Sequence, residues 1–254
     1  MTNLEKRSWQ MRRVASAMLI FAVSMSESAR ISAQSAPVTV QAELVMRNGG
    51  KKQDQAKNTV DSSNVVVWLM PLGTTATRRT TGKPPQLIQR NKSFEPHLLV
   101  VQTDSVVEFP NRDPFFHNVF SLFNGKRLDL GLYEAGTAKT ARFERPGVSF
   151  LFCNIHAEMS AVVVAVDTPY FGYSDREGRV VLPDVPGGRY RMHVWYERSS
   201  PEDLQVLERD VEVSSSARAL GVVRVMLNPN WNLAHKNKYG QEYVPPPSGS
   251  YSDH

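Results

Sequence analysis

Val148-Ser-Phe-Leu-Phe-Cys153-Asn-Ile-His156-Ala-Glu-Met159-Ser-Ala-Val-Val-Val-Ala-Val166 joins two short apolar runs, Val148–Cys153 and Ala161–Val166, through a small polar loop. Runs of this length, rich in valine and phenylalanine and bounded by turn residues, read as strands; helices need longer periodic segments. One strand therefore delivers Cys153, a loop carries His156 and Met159, and a second strand leads away.

The same texture extends in both directions. Val38–Met46 alternates apolar and polar residues, as a half-buried strand does. Val65–Met70 is a β-branched run closed by Pro71. Leu98–Gln102, Val106–Phe109, His117–Phe123 and Thr140–Phe143 follow, punctuated by Asn, Asp, Gly and Pro. Residues 51–64 and 74–85 read as loops. Beyond Val166 a second strand-rich unit runs to Leu227, with a turn at Asp175-Arg-Glu-Gly178 and strands over Val180–Leu182, Arg189–Glu197, Val206–Val213 and Leu220–Leu227. In Arg189–Glu197 the residues Tyr190, Met192, Val194 and Tyr196 share one face. No mature segment has helical periodicity over two turns. The expectation is an all-β protein of sandwich type. Its domains are 37–166 and 167–227, with a polar, disordered tail over 228–254. The second unit is small for an independent core, so it packs on the first or borrows an N-terminal strand.

Composition excludes several classes. The chain has 254 residues, 41% hydrophobic and 22% charged, within the range of globular proteins. No apolar run approaches the ~20 residues of a membrane-spanning helix. Residues 1–33 read as an export signal: cations at Lys6, Arg7, Arg12 and Arg13, then apolar Val14–Met25, then small residues with cleavage sites after Ala33 or Ser35. The expected location is periplasmic or secreted, with no stable membrane insertion after signal removal. The net charge of +5 comes largely from this segment, because the remainder holds 25 cations against 23 anions. That balance argues against a nucleic-acid partner.

Cys153 is the only cysteine, so an internal disulfide is impossible. In an exported protein such a thiol is buried and free, paired between chains, or bound to metal. The spacing C-x2-H-x2-M puts thiolate, imidazole and thioether within seven residues. A second imidazole, His117, lies upstream in Asp113-Pro-Phe-Phe-His117-Asn118-Val119. Two histidines, a cysteine and a weak methionine form a donor set suited to copper in both oxidation states. His97 competes for the upstream position but reads as structural. Glu158 reads as a solvated loop charge. His193 reads as structural, and His235 and His254 as solvated tail residues.

Residues 94–166 resemble the plastocyanin, amicyanin and pseudoazurin group of cupredoxins. The resemblance rests on Phe94-Glu-Pro96, Val106-Val-Glu-Phe109-Pro-Asn111, His117-Asn118-Val119 and Phe150-Leu-Phe-Cys153 with His156 and Met159. It implies a Greek-key sandwich binding one type 1 copper through His117, Cys153, His156 and Met159. Asn118 would hold the loops together near the sulfur. The protein would be a one-electron carrier between transient redox partner proteins and not an enzyme. The chain departs from that pattern in Ile155 and Ala157, where a proline commonly flanks the histidine, in Glu158, and in Thr103-Asp-Ser105. Residues 168–196 resemble carboxypeptidase regulatory-like domains, which are small prealbumin-like β-sandwiches, on the D-x-x-G turn and the P-G-G-x-Y strand entry. Three further readings stay open: a copper carriage or delivery protein, an extracytoplasmic binding module with incidental metal, and a zinc site that uses Glu158. Hydrolase motifs are absent.

Overall fold

The computed structural model describes residues 35–46, 61–73, 82–121, 125–228, 230–233 and 235–243. The expected export signal, parts of the expected loops and residues 244–254 lie outside the described residues.

The regular structure of the described chain is almost entirely strand. In order come β1 (Ala36–Met46), β2 (Val66–Pro71), β3 (Ile88–Arg90), β4 (Ser93–Glu95), β5 (Leu98–Gln102), β6 (Ser105–Pro110), β7 (His117–Ser121), β8 (Leu128–Tyr133), β9 (Ala138–Phe143), β10 (Gly147–Phe152) and β11 (Ser160–Val166). Then follow β12 (Phe171–Tyr173), β13 (Arg179–Val185), β14 (Gly188–Trp195), the short helix α1 (Pro201–Gln205), β15 (Arg209–Val213) and β16 (Ala219–Leu227). The all-β expectation holds. Four strands escape the sequence reading: β3, β4, β8 and β12. The single-turn α1 displaces the start of β15 from Val206 to Arg209. Ser200 caps it, its hydroxyl accepting from the Asp203 amide, with Pro201 in the first turn. No helix among the described residues is long and apolar enough to cross a membrane.

The strands form two sandwiches. In the first, a sheet ordered β5-β11-β10-β7-β8 shares a core with the pairs β6–β9 and β3–β4. Phe94, Val107, Phe109, Phe143, Leu151 and Val163 are buried there with Cys153 and Met159. In the second, a sheet ordered β13-β1-β16 faces a sheet ordered β12-β2-β14-β15. Val38, Val40, Leu69, Leu182, Met192 and Val225 fill its core. Tyr190, Met192, Val194 and Tyr196 are all buried, as the alternation in this strand requires.

The boundary expected at 37–166 does not follow this pairing. β1 runs antiparallel to β13 and parallel to β16, which makes it the central strand of a C-terminal sheet. β2 lies between β12 and β14 in the other sheet of the same sandwich. The first sandwich is thus built from residues 86–166, and the second from both ends of the described chain. The physical reason is core size. The strands after residue 166 could not enclose enough apolar surface alone, and β1 and β2 complete both sheets.

A third apolar layer joins the sandwiches. Val66 of β2 is buried with Leu98, Val100, Val162, Val164 and Val166, and Trp68, Phe150 and Trp195 pack against them. β11 is therefore covered on both faces, which explains why its sequence is continuously apolar instead of alternating. Each such side chain contributes roughly 1.5–3 kcal/mol by burial, so separating the sandwiches would expose a layer neither can solvate cheaply.

Candidate metal centre

The site forms where β7 begins and β10 ends. β7 and β10 pair through Phe120 and Phe152, which brings the residues beyond each strand end to one corner of the sheet. Cys153 follows β10 directly. The loop to β11 is tight: the Cys153 amide donates to the Met159 carbonyl (3.1 Å) and the Met159 amide to the His156 carbonyl (3.1 Å). This closure turns the C-x2-H-x2-M spacing into a compact cluster.

His117 is placed by the turn before it. Asn111 is fully buried; its amide nitrogen donates to the Phe115 carbonyl (2.8 Å) and its oxygen accepts from the Asp113 amide (3.0 Å). Asp113 in turn accepts from the amides of Asn91 (2.6 Å) and Lys92 (2.9 Å) in the β3–β4 turn. Its Oδ2 lies 2.7 Å from His117 Nε2. Burial works against the Asp113 charge. The Lys92 amide, the His117 side chain and the Asn91 amide outweigh it and hold the carboxyl below its ordinary pKa. A carboxylate can only accept, so His117 Nε2 carries the hydrogen of this contact, which leaves Nδ1 as the ring atom facing a metal.

That nitrogen faces the sulfur. His117 Nδ1 is 3.7 Å from Cys153 Sγ, and His156 Nδ1 is 3.6 Å from the same atom. The three donor atoms lie within 4.8 Å of one another. One thiol proton can serve only one of two flanking nitrogens, so hydrogen bonding alone does not account for the symmetry. The separations also fit a shared cation. Metal–sulfur and metal–nitrogen lengths of about 2.3 and 2.05 Å give an S···N separation of about 3.6 Å at a tetrahedral angle and 3.8 Å at a trigonal one. The observed distances fall between these values.

Electrostatics favour a cation that brings its own binding energy. Burial pushes the Cys153 thiol up, opposed by the backbone N–H groups of Ile155, Asn118 and His156 that point to it. Burial, with the neighbouring His117 and Lys92 side chains, pushes His156 down to about 4 against the pull of Asp113. His156 is thus neutral at pH 7 and available as a ligand. Binding would release the thiol proton. Phe115 edges both rings, at 5.2 Å from His117 and 5.6 Å from His156 between centroids.

The structure brings together three of the four residues singled out from sequence: His117, Cys153 and His156. Met159 is fully buried in the same core as Cys153. His97 is elsewhere, with Nε2 2.8 Å from Glu197 and Nδ1 3.2 Å from the Ser160 carbonyl, a structural position as expected. His193 pairs with Glu208 and stacks on Trp68. Glu158 is exposed on the loop. The Asn118 side chain does not bridge to the 153–159 loop; it donates to Asp129 of the neighbouring strand β8 (2.8 Å).

Two expectations about the tail are corrected. Residues of the segments 230–233 and 235–243 line the outside of the 153–159 loop, and His235 is half-buried and bonded instead of free in solvent. Its ring stacks on Phe152 with centroids 3.8 Å apart, and Nε2 donates to the Ala157 carbonyl (2.9 Å). The Tyr243 hydroxyl donates to the Cys153 carbonyl (2.7 Å). Burial and the nearby Cys153 sulfur push the phenol up to about 12, so it keeps its proton. Asp129, Lys238 and Tyr243 escape the sequence reading, which notes Asp113 only as part of the turn before His117 and places His235 in solvent. The one available signal is Trp231, His235, Tyr239 and Tyr243, a ring at every fourth position of an otherwise polar segment.

No family model matches the chain, and no curated protein does. Solved structures with a similar arrangement include a purple cupredoxin from Nitrosopumilus maritimus, 24% identical over 32% of this chain and 98% of its own, with a TM-score of 0.30. A Cu-containing nitrite reductase from Thermus scotoductus SA-01 is 20% identical over 38% of this chain, with a TM-score of 0.32; the match spans a quarter of the reductase. A Cu(I) amicyanin variant is 16% identical over 39% of this chain and 97% of its own, with a TM-score of 0.31. At these TM-scores the functional reading rests on the geometry of the site and not on the likenesses.

Proposed function

We propose that the protein is an exported copper protein that carries single electrons between partner proteins. The observation that carries this reading is the placement of His117 Nδ1 and His156 Nδ1 at 3.7 and 3.6 Å from one buried cysteine sulfur. His117, Cys153 and His156 would hold the ion, with Met159 as the weak fourth ligand that completes a set of two imidazoles, a thiolate and a thioether. Copper, when bound, supplies a one-electron couple. The chain's part is to keep the donors fixed. Asp113 orients His117, the closed 153–159 loop orients Cys153 and His156, and the apolar core around Cys153 and Met159 excludes water. Little then has to move when the charge changes.

The half-buried edge of His156 is the exit for the electron. Close to the ligands in sequence or strand pairing, Phe116, Leu132 and Ile155 are about half exposed, at 53%, 58% and 45%. Phe116 adjoins His117, Ile155 adjoins His156, and Leu132 pairs with Asn118. Exposed apolar residues at one mouth suit a small, transient redox interface. The basic and apolar N-terminal segment supports export.

The test is spectroscopic. Metal-free chain beginning at Gln34 is titrated with Cu(II). The expected result is an intense visible thiolate-to-Cu(II) band saturating at one copper per chain, absent in Cys153→Ser. No band in the unmodified chain sinks the proposal. A band accompanied by irreversible voltammetry and ready copper transfer to an acceptor moves the reading to copper delivery.

A further inference from the structure

The residues after β16 do more than trail from the fold. The loop 153–159 offers polar groups that its own closure leaves unused: the carbonyls of Cys153 and Ala157 and the side chain of Asn154. Each meets a donor from the C-terminal segment. Tyr243 donates its hydroxyl to Cys153 (2.7 Å), His235 donates Nε2–H to Ala157 (2.9 Å), and Lys238 donates its backbone N–H to the Asn154 oxygen (2.9 Å). Phe120 and Phe152, which join β7 to β10, are only about 1% exposed, and His235 stacks over Phe152.

The same segment reaches the other half of the site. The Lys238 ammonium lies 2.7 Å from Asp129 Oδ2, and Asp129 Oδ1 accepts from Asn118, the neighbour of His117. Lys238 therefore touches the ligand loop through its backbone and, through Asp129, the strand that carries the first histidine. Besides this segment, the two ligand-bearing pieces of chain meet at the Phe120–Phe152 pair and at the Cys153 sulfur, to which the Asn118 amide points.

We propose that residues 230–233 and 235–243 form a positioning strap that holds the 153–159 loop against β7 and thereby governs how tightly the site keeps its metal. The proposal rests on the copper reading above. His235, Lys238 and Tyr243 touch no reacting atom; they act through Cys153, Asn154, Ala157 and Asp129. Orientation of the groups behind metal ligands is commonly reflected in affinity by 10–100-fold.

The experiment uses the full mature chain with Tyr243→Phe, His235→Ala, and both together. Glu242→Gln, an exposed strap residue paired with Lys236, serves as the control. Copper-loaded protein is challenged with excess chelator, and the decay and position of the thiolate–Cu(II) band are followed. Each single variant is expected to lose copper about 2–10-fold faster, the equivalent of one net hydrogen bond. The double variant is expected to lose it ~10–100-fold faster with a displaced band, while Glu242→Gln matches the parent. A strap that merely covers the sheet would lower the unfolding midpoint but leave the band and the loss rate of folded protein unchanged. That result overturns the proposal and leaves the copper reading intact. No band in the parent chain overturns both. Hydrogen exchange on the metal-free protein supplies an independent readout: the amides of Cys153 and Met159, bonded within the loop, are expected to lose protection in Tyr243→Phe. Unchanged protection counts against the strap.

Discussion

The two sandwiches solve the same packing problem with different interiors. Among the described residues, the second buries apolar side chains plus the small hydroxyls of Ser62, Thr168, Ser174 and Ser199, of which Thr168 and Ser174 donate to backbone carbonyls. The first also buries two serines, Ser121 and Ser149, and adds Gln89, Asn111, Asp113, His117 and Asn118 besides Cys153. Buried ionisable groups are costly unless paired. Asp113, His117 and Cys153 share one corner of the first sandwich, and there the fold spends stability on chemistry. The second sandwich is expected to support that corner without taking part in it.

Matched core truncations test this division most strongly. Leu182→Ala and Leu151→Ala each remove a fully buried leucine, one from each core. Each is expected to cost about 2–5 kcal/mol, a transfer loss plus an unfilled cavity, measured by chemical denaturation. Only Leu151→Ala, two residues before Cys153, should also accelerate copper release. Equal acceleration by Leu182→Ala would show that the second sandwich is coupled to the site through the shared layer of Val66, Val162 and Val164.

Asp113→Asn sharpens the comparison inside the first sandwich. The carboxylate accepts from His117 Nε2 and from two backbone amides. An asparagine cannot present two acceptor oxygens and carries no charge. Copper affinity is expected to fall roughly 10-fold or more. The reduction potential is expected to rise, because removing a negative charge beside the site favours Cu(I) over Cu(II). An unchanged potential by voltammetry would mean that Asp113 serves only to pin the β3–β4 turn.

Sequence reveals these parts unequally. Cys153, His156 and Met159 are legible because one loop of seven residues holds them, and His117 because it opens a strand after a recognisable turn. The strands are legible wherever alternation or a β-branched run is strong. Which strands pair is not, because β1 carries the same alternation whether its neighbours come from residues 98–166 or from 179–227. The alternation fixes a face, not a partner. β8 is obscured by Gly131, which takes a positive φ of 65° within Leu128–Tyr133. The strap is obscured by composition. Residues 228–243 are polar in sequence, and the contacts that tie residues 235–243 to the fold reach partners about eighty or more residues earlier: three hydrogen bonds to the 153–159 loop, a ring stack on Phe152 and an ion pair with Asp129.

The smallest expected effect lies at the seam between the sandwiches. His97, on the first, donates from Nε2 to Glu197 on the second at 2.8 Å, in a recess that Asp61 and Arg198 also line. The hydrogen bond to Glu197 raises the His97 pKa; burial opposes it, and the Glu197 charge and the Ser160 carbonyl add to it. A raised folded-state pKa means that the folded protein holds the proton more tightly than the unfolded chain. The stabilisation is therefore fully present below the ordinary histidine value of 6.5 and is lost as pH rises through the higher folded value. With His97 about two-fifths exposed, solvent screening keeps the effect modest. The stability difference between the parent and His97→Gln should be largest near pH 6 and shrink steadily above it, measured by denaturation midpoints at several pH values. A difference that stays constant with pH would show that His97 contributes through neutral hydrogen bonding alone. The seam would then be held by the apolar layer without help from charge.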